Sequence, residues 1–302
     1  MKKSLHNGFT LIELLVVIGI IGLLAAALIT NIPSVVGSAR TLKCKANLNN
    51  LAKAAYSFTV SQSGDDDGDS LPPAGAYEYT TFDKETLEFW YHSSSAWVMW
   101  TPASGEWPYR NKESQRDSMK PSTYHDKASV KNSRAFTSIT NGVLWSFVGK
   151  DASIYICETH KKVMEPVLRE KVYRSYVMNR YFGYDDQNNP AAYRRAVRLG
   201  TINQSGTAAI RVLFAELPGQ RGQSVNVSSD TWSDSVLDPD RSEYLGFNHK
   251  IGKKWIANVA FADGHVDGVV EPKGASPQDL KDLTTQLCNG TEIEAKLRAK
   301  MQ

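Results

Sequence analysis

Several groups of residues have the types and spacing that chemistry requires. Glu13 stands in an apolar run from Phe9 to Ile29 that is otherwise broken only by Thr10 and two glycines. An unpaired carboxylate in an apolar helix costs about 2–3 kcal/mol or more, so it asks for a partner. His249, Asp263, His265 and Asp267 bring imidazole and carboxylate groups together, the set that a metal ion or an acid–base pair would use. The ordinary reading of the same stretch is a turn, with Asp263 bonding its own backbone and Gly264 taking a positive φ. Asp65, Asp67 and Asp69 cluster as a calcium ion would want, but no Glu follows at EF-hand spacing, and a solvated turn is the favoured reading. Trp90, Trp97, Trp100 and Trp107 concentrate aromatic surface that could stack on a sugar or bind a protein, or simply fill a core. Cys44, Cys157 and Cys288 follow no zinc spacing and are too few for a disulfide scaffold. In an oxidising compartment they allow one disulfide and one spare thiol. All three pairings are open, with a lean toward Cys157–Cys288. No Gly-x-Ser-x-Gly, phosphate-loop or His-Glu-x-x-His motif is present.

The elements that must position these residues begin with the apolar run. Its ~21 residues, as a helix rising ~1.5 Å each, reach roughly 31 Å, the thickness of one bilayer core. A removable secretory signal would be shorter and would carry its small-residue cleavage site after the run, whereas Gly8 lies before it. Lys2 and Lys3 place the amino terminus in the cytoplasm, although Arg40, Lys43, Lys45 and Lys53 beyond the run outnumber them. Past Pro33, a point for a kink, Val36, Ala39, Leu48, Leu51, Ala55 and Phe58 recur at helical spacing. One long helix is therefore expected from Phe9 to Val60. A Ser-, Gly-, Asp- and Pro-rich loop follows over 61–76.

Further along, residues 96–100 read as a strand, 141–148 as a short helix, 153–157 and 174–179 as strands, and 209–216 as a buried strand. Residues 255–261 and 266–270 read as a hairpin about Asp263-Gly264. Ser276-Pro277 with Asp279 opens one terminal helix, and Thr291 with Glu294 fits a capping box for another. With 302 residues the chain can bury a substantial core, and its net charge of +3 without a basic block gives nucleic-acid binding no support.

Lys2-Lys3, then Gly8-Phe9-Thr10-Leu11-Ile12-Glu13-Leu14, resembles the leader and start of type IV pilins and type II secretion pseudopilins. The resemblance covers about a tenth of the chain. It implies a prepilin peptidase that cuts after Gly8 and methylates Phe9, and a Glu13 that guides assembly. Cys44 to Leu48, Tyr56 and Leu71-Pro72-Pro73 resemble a group of pilin-like proteins with an extended body. Phe261-Ala262-Asp263-Gly264-His265-Val266 resembles the H-x9-DG signature of such bodies, with His249 as the candidate histidine at a longer spacing.

The expected fold is α+β and pilin-like: a long amino-terminal helix, half membrane and half amphipathic, packed on an antiparallel sheet. The expected organisation is a leader over 1–8, a membrane and assembly helix over 9–30, its amphipathic continuation over 31–60, a body over 61–270 and a helical extension over 271–302. The resemblance implies a structural subunit rather than an enzyme, single-pass in a bacterial inner membrane with its body outside the cytoplasm. Its implied partners are the peptidase, other pilin-like subunits, the inner-membrane assembly platform and lipid, with no cofactor unless calcium. The alternative is a membrane-tethered or filament-tip module that binds carbohydrate or protein through its tryptophans.

Overall fold

The computed structural model describes residues 10–29, 32–61, 70–72, 74, 79–83, 88–92, 96–98, 101–102, 110–112, 119–120, 125–126, 134–182, 198–219, 235–239 and 243–302. Over 27–34, 79–126, 134 and 204, side chains are not described wherever these ranges overlap, residues 96–98 excepted.

The expected helix is described in two stretches, α1 (Leu11–Ile29) and α2 (Ile32–Ser61), with Thr30 and Asn31 outside the described residues. Pro33 falls in the first turn of α2, where its missing N–H leaves no intrahelical bond unmade. Among the described residues no helix is long and apolar enough to cross a membrane. The described side chains of α1 cover residues 11–26, roughly 24 Å of helix against the ~30 Å of a bilayer core. Along this stretch Leu11, Ile12, Leu14, Leu15, Ile18, Ile21 and Leu24 are all exposed.

The second helix carries one buried stripe, Thr41, Cys44, Leu48, Leu51, Ala55 and Phe58, which faces the sheet. Lysines flank this stripe, Lys45 reaching Asp267 on the sheet at 3.2 Å and Lys43 reaching Glu158 at 3.9 Å. Short peripheral strands follow: β1 (Tyr79–Asp83), β2 (Glu88–His92), β3 (Thr101–Pro102), β4 (Arg110–Lys112), β5 (Met119–Lys120), β6 (His125–Asp126) and β7 (Lys171–Val172). Of these, β1, β2 and β4 make a small antiparallel sheet, while β3 pairs β5 and β6 pairs β7. Helices α3 (Arg134–Asn141) and α4 (Glu158–Leu168) lie among them in the chain.

The main sheet is built from β8 (Tyr176–Asn179), β9 (Val212–Glu216), β10 (Val236–Leu237), β11 (His249–Ile251), β12 (Lys254–Phe261) and β13 (Val266–Val270). Its order is β10-β8-β9-β12-β11, with β13 also paired to β12. The sheet is mixed rather than purely antiparallel, because β10 runs parallel to β8. Strand alternation sends Tyr176, Met178, Phe214 and Ala260 to the α2 face and Val177, Ala215, Val259 and Phe261 to the other. That second face is covered by α6 (Pro277–Asn289), through Leu280, Leu283 and Leu287, and by α7 (Ala295–Met301), through Leu297. The short helix α5 (Leu199–Gln204) precedes β9 in the chain. The terminal helices therefore close a second core on that face.

The hairpin forms as expected, β12 and β13 pairing from Ile256↔Val270 to Ala260↔Val266, with Gly264 at φ 90° in the turn. Four local expectations are overturned. Residues 141–148 do not form a helix but a run of turns after α3, with Trp145 N donating to Gly142 O and Phe147 N to Leu144 O, both at 3.1 Å. Residues 153–157 are not a strand: Asp151 accepts from Ser153 N at 2.8 Å and starts a 3-10 turn over Ala152–Tyr155, after which Cys157 caps α4. Residues 96–98 form a buried bend, where Val143 N donates to Ala96 O at 3.0 Å. Gly142 permits that approach, since a Cβ there would stand 2.2 Å from Trp97 O. Finally, α7 has no side-chain cap; Thr291 Oγ1 instead donates to Gln286 O at the end of α6.

Candidate functional site: the helix start and a buried Cys-His-Glu cluster

Thr10 and Glu13 form a reciprocal capping box at the start of α1. Thr10 N and Thr10 Oγ1 both donate to Glu13 Oε2 at 2.8 Å, and Glu13 N donates to Thr10 Oγ1 at 3.3 Å. Both side-chain bonds end on one oxygen, so among the described residues Glu13 Oε1 accepts none. The Thr-x-x-Glu spacing was the signal for this box, and it was obscured because Glu13 read first as an isolated charge. Gly8 and Phe9 lie outside the described residues.

A second constellation sits between α2 and the sheet. On one edge of β12, β9 pairs with Val259 to Phe261 and β11 with Lys254 to Ile256. Side chains fill the gap where these two strands meet. Glu216 ends β9, His249 begins β11, and Asn258 lies between them on β12. Asn258 N, at the interruption of the ladder, donates to Glu216 Oε2 at 3.3 Å, and Asn258 Nδ2 donates to Glu216 Oε1 at 3.2 Å. His249 Nε2 lies 2.8 Å from Glu216 Oε1 and 3.4 Å from Cys157 Sγ. Cys44, one turn beyond Thr41 on α2, closes the group, and the ligating atoms of Cys44, Cys157, Glu216 and His249 all lie within 4.8 Å of one another. All four residues are at most 2% exposed.

The surrounding bonds fix the imidazole tautomer. Thr41 Oγ1 donates to Gly37 O at 3.0 Å, so it accepts from His249 Nδ1–H at 3.1 Å. Nε2 is thereby left facing a carboxylate and a sulfur. Burial works against protonation there, but the bonds to Cys157 and Glu216 and the Glu216 charge outweigh it and raise His249 to about 10. Burial, with Cys44 and Glu216 nearby, pushes the Cys157 thiol well above its ordinary value. Without a further cation, the cluster is a buried imidazolium–carboxylate pair beside two thiols.

The same geometry argues against a nucleophile–base–orienter relay. Such a relay needs the nucleophile and the orienting carboxylate on opposite ring nitrogens, whereas Cys157 and Glu216 share Nε2.

Asp263, His265 and Asp267 do not join His249. Asp263 Oδ1 takes His265 N at 3.0 Å and His265 Nδ1 at 2.5 Å, which is turn chemistry; the imidazole stacks on Phe261. Asp267 pairs with Lys45. Tyr56 Oη donates to Ala262 O beside the turn, and burial followed by the Asp263 charge raises its pKa to about 12.

Trp97 is fully buried, its ring 6.1 Å from Tyr155 and 5.1 Å from Phe214, so it is removed from any binding surface. Trp90 lies on β2 with its side chain outside the description; Trp100, Trp107, Asp65, Asp67 and Asp69 lie outside the described residues altogether. The three cysteines are free. Cys44 and Cys157 belong to the α2-side core and Cys288 to the other, so the sheet separates the two thiols of the favoured Cys157–Cys288 pairing.

Residues 3–29 match the family model described as the prokaryotic N-terminal methylation motif, the signal of type IV pilins and pseudopilins. No curated protein and no solved structure matches the chain. The matched motif is the one that marks pilin-like substrates of prepilin peptidases. It stops well short of the H-x9-DG stretch, which it leaves without a counterpart.

Proposed function

We propose that the mature chain is a structural subunit, a pseudopilin or minor pilin, of a type II secretion pseudopilus or a type IV pilus-like filament. A prepilin peptidase cuts after Gly8 and methylates Phe9. The apolar helix then holds the subunit in the inner membrane, amino terminus cytoplasmic and body outside, until the assembly platform draws it into the filament. The observation that carries this reading is the methylation motif at residues 3–29, seated on a helix whose described apolar side chains are exposed along its length. Exposed apolar area is worth about 25 cal/mol per Å² once buried, so such a helix needs lipid or neighbouring subunits around it.

Glu13 supplies the register. Its Oε2 is engaged by Thr10, and Oε1 is left to accept from the terminal ammonium of a staggered neighbour, a cation with a pKa of about 7.7–8. Glu13→Gln keeps the shape and removes the charge, leaving that ammonium unpaired in the filament core at a cost of about 3–5 kcal/mol. The expected variant is processed and membrane-resident, yet depleted in sheared filaments relative to the wild type. Equal incorporation of the two would reduce Glu13 to a helix cap.

A further inference from the structure

We infer that Cys44, Cys157, Glu216 and His249 form a closed four-ligand site for a structural zinc ion that pins α2 and α4 to the sheet. The donor set comes from four elements, α2, the start of α4, β9 and β11, and two thiolates, an imidazole and a carboxylate suit a borderline-soft divalent cation in tetrahedral coordination. Zn–N of about 2.0–2.1 Å and Zn–S of about 2.3 Å require a tetrahedral N···S edge of roughly 3.6 Å. His249 Nε2 and Cys157 Sγ stand 3.4 Å apart, already near that edge. The Nε2···Oε1 separation of 2.8 Å needs to open by about half an ångström to seat the ion.

The groups around the ligands point the same way. Thr41 holds His249 Nδ1–H, which directs the Nε2 lone pair of a neutral ring inward; this is the outer-shell arrangement of a ligating histidine. Asn258 donates twice to Glu216. His160 N donates to Cys157 Sγ at 3.5 Å from the first turn of α4, where the helix dipole favours a thiolate. The buried Tyr176 hydroxyl, opposite Glu216 in the β8–β9 register, has no oxygen or nitrogen partner and faces the thiol of Cys44. A thiolate there would accept a hydrogen bond from it. Asn258, His160 N and the Tyr176 hydroxyl all direct donors at the anionic ligands, as a centre of two thiolates, one carboxylate and Zn²⁺, with net charge −1, requires, while Thr41 accepts from His249 Nδ1–H. Loading balances as Zn²⁺ in and three protons out, one from each thiol and one from His249 Nε2.

The full chain, extracted in detergent without chelator and desalted after exposure to equimolar Zn²⁺, tests the site. One zinc per chain by elemental analysis is expected, with Cys44 and Cys157 shielded from thiol reagents until chelator and denaturant are added together. Co²⁺ loading should give thiolate charge-transfer absorption in the near ultraviolet. Cys157→Ser should lower the bound zinc from one toward zero, while Cys288→Ser, on the other side of the sheet, should keep it. Zinc in the wild type no higher than in a Cys44→Ser/Cys157→Ser double variant, or a Cys44–Cys157 disulfide found by mass, would overturn the proposal. The cobalt spectrum of the wild type decides the matter even if a variant fails to fold.

Discussion

The indole of Trp97 packs between Tyr155 and Phe214 and donates from Nε1 to Ser235 O at 3.2 Å. Removing a buried aromatic of this size costs about 3–5 kcal/mol. Trp97→Ala should therefore lower the denaturation midpoint of the detergent-solubilised chain by a corresponding amount, whereas a tryptophan serving only a binding surface would leave it nearly unchanged. Composition could not make this distinction, because aromatic clusters look alike whether they face a core or a ligand. The Cys-His-Glu cluster was hidden for a different reason. Its members come from four separate elements, so no local spacing exists to read, and only the meeting of β9 and β11 on one edge of β12 brings them together. Gly264 was legible because its role is local, a positive-φ position in a hairpin turn, whereas the cap at Glu13, equally local, was masked by the surrounding apolar run.

Among the elements, the β12–β13 hairpin and β9 were readable from apolar runs bounded by turn residues. Residues 153–157 carried a similar apolar pattern, yet Asp151 capping and the bonds from Asn47 Nδ2 to Ser153 O and Ile156 O hold them in a turn against α2. Tertiary contact overrides β propensity at such sites. The start of α6 is a device of the opposite kind, legible and self-contained: Ser276 and Asp279 cap each other, and Lys300 from α7 donates to Asp279 at 2.8 Å. The Lys300 bond first, then the Ser276 bonds, hold the Asp279 carboxyl well below its ordinary range. A depressed folded-state pKa adds stability that is present above the unfolded value of about 3.9 and is lost as pH falls through the folded one. Wild-type thermal midpoints should accordingly decline in acid, and Asp279→Asn should flatten that part of the decline while lowering the midpoint at neutral pH. Parallel acid limbs in the two proteins would show that Asp279 does not anchor α7.

At the scale of the molecule, one sheet separates two cores, with α2 on one face and α6 and α7 on the other. The first of these layers was anticipated by the helical spacing of α2. The second was not, since short amphipathic helices at a chain end look the same whether they cover a sheet or decorate it. Both layers leave α1 projecting its apolar side chains, which is the feature that a membrane or a filament must satisfy. Everything proposed for the whole molecule depends on the mature chain starting with that helix. Intact-mass analysis of the membrane-extracted protein, expressed with an active prepilin peptidase, tests this most directly. The expected product begins at Phe9 and carries one added methyl, while a chain that still begins at Met1 would contradict the account.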